Sequence, residues 1–347
     1  MLALFVIFAG VCSLGIAQHN TIYFRVEEEQ SPKAFVGDVS QTDFPNRLKK
    51  GGFKIRYAIQ DPTQMIFTID ADTGILRTNQ VLDRENLPSS ARGDVFQIQI
   101  LVSDKSGSLT VISPTEIRIL DINDNDPKFP KDFEALRISE SAPINSRFQL
   151  TSATDADIGN NSIQGFRIIS GNEDEMFRLL LLKPSPNVMY LYLVNVKRLD
   201  RETRAFYHLV IAAVDGGTPL PRSGRMELNI TILDSNDHSP QFSTFNFVGK
   251  VRENSPNGTY VVRVMATDKD IGTNGEIRYS LDPLPEYQGL FRIHAKSGKV
   301  WTNAPLDYEY KSKYVLSVSA QDLGPDSIPS KASITVEVSG GVTFFIK

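Results

Sequence analysis

Apolar and polar residues alternate along much of this chain. Phe96-Gln-Ile-Gln-Ile-Leu-Val102, Tyr207-His-Leu-Val-Ile-Ala-Ala-Val214 and Tyr314-Val-Leu-Ser-Val-Ser-Ala320 are short, β-branched and aromatic-rich. That is the pattern of strands with one buried face. Gly, Pro, Asn and Asp clusters separate such runs, and no long helical period appears. Two further runs, Glu116-Ile-Arg-Ile-Leu120 and Glu227-Leu-Asn-Ile-Thr-Ile-Leu233, end in near-copies of one acidic heptapeptide. The copies are Asp121-Ile-Asn-Asp-Asn-Asp-Pro127 and Asp234-Ser-Asn-Asp-His-Ser-Pro240, 113 residues apart. A proline closes each, so a strand runs into a connector that can continue neither as strand nor as helix.

The repetition is wider than the connectors. Leu82-Asp-Arg-Glu85, Leu199-Asp-Arg-Glu202 and Leu306-Asp-Tyr-Glu309 form one series. Val26-Glu-Glu-Glu29, Ile138-Ser-Glu-Ser141 and Val251-Arg-Glu-Asn254 form another. Thr154-Asp-Ala-Asp157 matches Thr267-Asp-Lys-Asp270, and Val102-Ser-Asp104, Ala213-Val-Asp215 and Ala320-Gln-Asp322 also correspond. Three homologous units follow from this, each long enough to bury its own core. The expected fold is all-β: a tandem array of three Greek-key sandwiches of about seven strands each. Its expected parts are a first repeat over 18–126, a second over 127–239, a third over 240–338 and an atypical tail over 339–347. Neither connector has the Gly/Ser composition of a flexible linker, so orientation across it is expected to be controlled.

Residues 1–17 are apolar and end in the small residues Gly15 and Ala17, as a secretory signal peptide does. The single cysteine, Cys12, lies inside that segment. The remainder therefore has no disulfide framework, and no Cys/His cluster suggests zinc. A net charge of −4 without a basic stripe disfavours nucleic acid. No apolar run after the signal is long enough to span a membrane. The acidic residues matter through clustering: oxygen-rich connectors at domain spacing suggest a hard cation between β domains.

Taken together, the ordered motifs resemble the cadherin repeat over essentially all of residues 20–338. The resemblance implies about three calcium ions at each junction between repeats. At the first it implies Glu28, Asp83 and Glu85, the side chains of Asn123 and Asp124, the carbonyls of Ile122 and Asn125, then Asp155, Asp157, the Asn161 carbonyl and Asp215. At the second it implies Glu140, Asp200, Glu202, Asn236, Asp237, Asp268, Asp270 and Asp322, with the carbonyls of Ser235, His238 and Asn274. The second connector departs from the family pattern at His238, which matters little if only its backbone oxygen binds. Seven carboxylates gather in each set, and at an intermediate dielectric they repel one another by several kcal/mol. Three divalent ions nearly neutralise them, and calcium accepts such mixed carboxylate and carbonyl shells. Glu253, Asp307 and Glu309 repeat the first part of the set, but Val336-Glu-Val-Ser-Gly-Gly341 stands where a third connector belongs, as in a truncated ectodomain.

The opening Ile22-Tyr-Phe-Arg-Val-Glu-Glu-Glu-Gln30 and the stretch Asp155-Ala-Asp-Ile-Gly-Asn-Asn-Ser162 are similar to those of protocadherins. Clustered protocadherins carry a cysteine pair after the first Asp-Arg-Glu; here the chain reads Asn86-Leu-Pro-Ser-Ser-Ala-Arg92, so no subtype follows. The only tryptophan, Trp301, is in the third repeat, which argues against N-terminal strand exchange through tryptophan. The implied function is calcium-dependent cell–cell adhesion, by homophilic recognition of a like cadherin ectodomain in trans or in cis. The implied location is the plasma membrane, reached by the secretory pathway, with anchoring only through a region absent from this chain. The alternative is a secreted truncated form acting as a soluble decoy or heterophilic ligand. An enzyme is disfavoured: every acidic pair recurs at a junction, whereas a glycosidase needs one singular pair. Arg92-Gly93-Asp94 could meet an integrin, and Asn160, Asn229 and Asn257 lie in glycosylation sequons, with Asn257 in the most turn-like context.

Overall fold

The computed structural model describes residues 21–43, 45–46, 52, 54–60, 65–105, 110–185 and 188–341. The signal segment 1–17 and the tail beyond residue 341 lie outside the described residues. Strand is the dominant element, in three successive sandwiches. In the first, Ile22–Glu27, Thr110–Leu120, Val95–Asp104 and Ile55–Ile59 form one sheet in that order, with Ala91–Arg92 against Val95–Asp104. Phe35–Asp38, Ile75–Thr78 and Phe67–Ile69 form its second sheet. The middle sandwich pairs Ile163–Ser170, Phe206–Asp215, Ser223–Leu233 and Phe133–Ser139, opposite Arg147–Leu150, Val188–Asn195 and Phe177–Ser185. The third has Asn246–Arg252, Ser330–Ser339, Lys313–Gln321 and Arg278–Leu281, then Tyr260–Arg263, Lys299–Thr302 and Phe291–Ile293. Short Gln241–Phe242 and Ala266–Thr267 pair beside it.

Alternation explains which faces are buried. Along Ser223–Leu233 the residues Met226, Leu228, Ile230 and Ile232 point inward, and along Ser330–Ser339 Ala332, Ile334, Val336 and Val338 do. Aromatic edges lock the two sheets of each sandwich together, as Phe67 on Phe96 at 5.3 Å, Phe177 on Tyr207 at 5.1 Å and Phe291 on Tyr314 at 5.5 Å. Trp301 is half-buried on Lys299–Thr302, with the Arg292 guanidinium 5.4 Å from its ring.

One register recurs in all three repeats and places the acidic residues. The first strand of each repeat pairs in parallel with the last, and the pairing ends at Glu27↔Leu120, Ser139↔Leu233 and Arg252↔Ser339. The next residue is a glutamate each time, and its N–H bonds back to the end of the last strand: Glu28 to Leu120 O at 3.1 Å, Glu140 to Leu233 O at 3.0 Å and Glu253 to Ser339 O at 3.0 Å. A glutamate is thus fixed wherever the last strand leaves its sheet.

The chain divides into two compact units, and each holds one connector with the loops around it. The first comprises 1–130, 152–167 and 212–225; the second comprises 131–151, 168–211 and 226–347.

Candidate metal centres

In the first unit, the Glu28 side chain lies in a fully buried residue and is held from two directions. Ile122 N–H of the connector donates to Oε1 at 2.9 Å, and Arg84 N–H donates to Oε2 at 2.6 Å. Glu140 in the second unit repeats this with Ser235 N–H and Arg201 N–H, at 2.6 and 2.7 Å. Glu253 does so with Gly341 N–H and, at 3.3 Å, Tyr308 N–H. The carboxylate is therefore aimed by backbone donors, whose positions the strands and connector fix.

Around these glutamates the other acidic residues converge. Ligand atoms of Glu28, Glu85 and Asp124 lie within 4.8 Å of one another, as do those of Glu85, Asp121 and Asp157. The second unit gathers Glu140, Asp200 and Glu202, and also Glu202, Asp237, His238 and Asp270. Glu253, Asp307 and Glu309 form a fifth group. Asp83, Asp155, Asp215, Asp268 and Asp322 fall outside these tight groups. Asp83 is tied to Asn86 at 2.7 Å and Asp200 to Thr203 at 2.7 Å, and those hydrogen bonds hold both below the usual carboxylate range. Asp215 and Asp322 are both buried. Asp215 accepts Gly217 N–H and Arg222 N–H, each at 2.9 Å; Asp322 accepts Gly324 N–H at 2.9 Å and Ser327 Oγ–H at 2.6 Å.

The electrostatics are those of crowded, partly dehydrated carboxylates. Burial, then the charges of Glu28 and Asp124, push Glu85 up to about 7 despite Arg84. Burial, with Asp157 and Asp215 nearby, raises Asp155 to about 6. Asp124, Asp157, Glu202 and Asp270 are also raised, chiefly by burial. His238 stands above its usual range: burial alone would lower it, but hydrogen bonds and charge from Asp270 and Asp237 prevail.

A cation fits these sites on one further observation. Asn123 Oδ1, Asp155 Oδ2, Glu202 Oε2, Asn236 Oδ1 and Asp268 Oδ2 are buried and have no hydrogen-bond partner. Among the described residues only Tyr57 Oη, Asn195 Oδ1 and Ser330 Oγ share that condition. Buried oxygens without donors are costly. Here they coincide with residues proposed as ligands and are matched between the two junctions: Asn123 with Asn236, Asp155 with Asp268.

Several positioning residues escaped the sequence reading. The Arg84 guanidinium bonds Asp121, Glu85 and, at 2.7 Å, the Ala156 carbonyl; Arg201 bonds Asp234, Glu202 and, at 2.9 Å, the Lys269 carbonyl. Asp121 also accepts Ile158 N–H and Asn161 Nδ2–H, and Asp234 accepts Ile271 N–H and Asn274 Nδ2–H. These donors occupy Asp121 and Asp234, which therefore brace the connector and pin the side chains of Asn161 and Asn274, whose carbonyls remain. Gly217 and Gly324 are the least visible of the set. A Cβ on Gly217 would lie 2.2 Å from Asn123 Cγ, and one on Gly324 would lie 2.7 Å from Asn236 Cγ. Only glycine lets the connector amide pack there. The arginines could have been found as the shared third residue of Leu-Asp-Arg-Glu; the glycine contacts have no local signal.

The remaining motifs fall elsewhere. Arg92-Gly93-Asp94 turns the hairpin between Ala91–Arg92 and Val95–Asp104, with the Asp94 carbonyl accepting Ile119 N–H at 2.8 Å and its carboxylate 3.8 Å from Arg118 Nε. Asn160, Asn229 and Asn257 are all exposed; the Asn160 carbonyl accepts Gly216 N–H beside the first connector. Among the described residues no helix is long and apolar enough to cross a membrane.

Comparison with known proteins places this arrangement. The cadherin domain family matches residues 22–120, 134–233 and 247–339. Human Protocadherin-12 is 34% identical over 320 residues, covering 92% of this chain and 26% of its own length. Human Protocadherin beta-1 is 36% identical over 324 residues, covering 93% and 38%. The chain thus spans well under half of these curated relatives. Among solved structures, repeats EC1–3 of Protocadherin Gamma C5 align with a TM-score of 0.76 at 32% identity, over 92% of this chain and 100% of that one. Mouse clustered PcdhgC3 EC1–3 aligns with a TM-score of 0.74, also at 32% identity, over 92% and 99%. With three consecutive domain matches and a protocadherin-like course through all of them, the chain belongs to the cadherin family.

Proposed function

We propose that this chain is part of a cell-surface adhesion ectodomain whose junctions are stiffened by calcium. The observation that carries the reading is the matched set of buried, donor-less oxygens amid seven carboxylates in each compact unit. Glu28, Asp83, Glu85, Asn123, Asp124, Asp155, Asp157 and Asp215 would hold calcium at the first junction, with the Ile122, Asn125 and Asn161 carbonyls. Glu140, Asp200, Glu202, Asn236, Asp237, Asp268, Asp270 and Asp322 would do so at the second, with the Ser235, His238 and Asn274 carbonyls. When bound, about three calcium ions per junction supply the positive charge and oxygen coordination that these groups lack. The protein's own part is to hold the donors in place beforehand. Backbone N–H groups aim Glu28 and Glu140, Arg84 and Arg201 clamp each connector aspartate, and Gly217 and Gly324 seat the connector asparagines.

The proposed partner is a like cadherin ectodomain, in trans or in cis. This rests on the relatives, which are protocadherins. The soluble-decoy alternative draws no support from those relatives. Beads coated with the chain, and with a version extended by further repeats, test adhesion. Calcium-dependent aggregation that EDTA reverses, stronger for the longer form, is expected. Aggregation indifferent to EDTA would refute the calcium role, and no aggregation by either form would refute homophilic adhesion.

A further inference from the structure

We propose that the second junction also binds a zinc-class divalent ion, held by His238 Nδ1 with the carboxylates of Glu202, Asp237 and Asp270, in exchange for calcium. His238 replaces the connector asparagine of the first junction, and the two side chains make corresponding contacts. Asn125 Nδ2 donates to Asp124 Oδ1 and Asp157 Oδ1, both at 2.7 Å. His238 Nδ1 lies 2.9 Å from Asp237 Oδ1 and 3.0 Å from Asp270 Oδ1, with Glu202 Oε2 at 3.9 Å. An amide nitrogen has no lone pair to give a metal, whereas a neutral imidazole does. The substitution keeps the local contacts and adds a ligand that zinc prefers and calcium does not.

The geometry suits a small tetrahedral ion. Metal–ligand bonds near 2.0–2.2 Å imply ligand separations of about 3.3 Å, and the three distances above bracket that value. Two of the oxygens also lack donors from elsewhere. Glu202 Oε2 is buried and unpartnered. The Asp270 side chain is fully buried, and among the described residues the imidazole is the one hydrogen-bond partner of its Oδ1. One ring nitrogen therefore faces three carboxylate oxygens. A metal would take the place of any proton on Nδ1, which leaves to solvent. The Nε2 atom then carries the N–H, so exposed Lys269, whose Nζ is 3.5 Å from it, swings away. Zinc and calcium compete because Glu202, Asp237 and Asp270 belong to both sets.

The zinc site itself does not require calcium to bind there; only the exchange rests on the calcium reading. Titrating the calcium-free chain with Co²⁺, read by its visible absorption, and then displacing it with Zn²⁺ should give one equivalent at the second junction. His238→Asn, which installs the first junction's residue, should weaken zinc at least about tenfold, the loss that even an outer partner of a ligand brings. Asn125→His should add a second zinc equivalent, which guards against misfolding of the first variant. Unchanged zinc binding in His238→Asn, or no gain in Asn125→His, overturns the proposal. If zinc binds as predicted while neither junction takes calcium, the zinc site stands and the calcium reading falls.

Discussion

The two junctions share one hydrogen-bond scheme but are built from different sequences. The first connector reads Ile-Asn-Asp-Asn and the second Ser-Asn-Asp-His, yet Glu28 and Glu140 each receive the same two backbone N–H groups. Arg84 and Arg201 each bridge the connector aspartate and a carbonyl of the following repeat. The third repeat completes the comparison. It brings Glu253, Asp307 and Glu309 together although Gly340-Gly341 follows its last strand and Tyr308 stands in the arginine's place. The carboxylates thus gather without a connector aspartate or an arginine. The connector and arginine contribute burial: Glu28 and Glu140 are 0% and 5% exposed, while Glu253 is only half-buried. Burial of crowded charge at the first two junctions is what supports the proposed cation there.

The largest expected effect separates the junctions outright. Glu28→Ala should remove calcium binding at the first junction and spare the second, and Glu140→Ala should do the reverse. Calorimetric calcium titration would then show about half the ions in either variant. Loss of all ions in one variant would mean that the junctions are not independent.

A smaller effect comes from protons. Glu85 near 7 and Asp155 near 6 are raised carboxylates, so in the ion-free chain they take up protons as pH falls through those values. Only the ionised forms serve calcium, so binding must release these protons and weakens on acidification. Between pH 7.5 and 5.5 first-junction affinity should fall roughly tenfold or more. Titrations in buffers of different ionisation heat would count the protons. An affinity independent of pH would contradict the crowding described at Glu85.

Glycine contacts give a finer test of the same comparison. The added methyl would approach Asn123 more closely than Asn236. Gly217→Ala should therefore lower stability by about 1–3 kcal/mol, as overpacking does, and Gly324→Ala by less. Thermal unfolding in calcium would rank them. The smallest effect is expected from Arg84→Met. With calcium present its clamp is backed up by the ion, but in EDTA the first connector should be cut severalfold faster by proteinase K. Equal rates would deny the arginine a positioning role.

Much of the fold could be read beforehand because its causes are local. Period-two alternation marked the strands Val95–Asp104, Phe206–Asp215 and Lys313–Gln321, and repetition marked three sandwiches. The clustered acidic residues were legible because they lie in short ordered motifs. Asp121, Asp234, Gly217 and Gly324 were not, because their roles depend on contacts between segments about 40 to 95 residues apart. From sequence, His238 is a departure at a carbonyl position. The role of its ring depends on Glu202 and Asp270, which face it from segments more than 30 residues away.

The central claim is that each junction is an ion site assembled by the chain's own backbone. Counting calcium in the chain after gel filtration in millimolar calcium, with Glu28→Ala and Glu140→Ala alongside, tests it most directly. About six ions in the parent chain and about three in each variant are expected. A parent chain that carries no calcium, or variants that carry as much as the parent, would contradict the account.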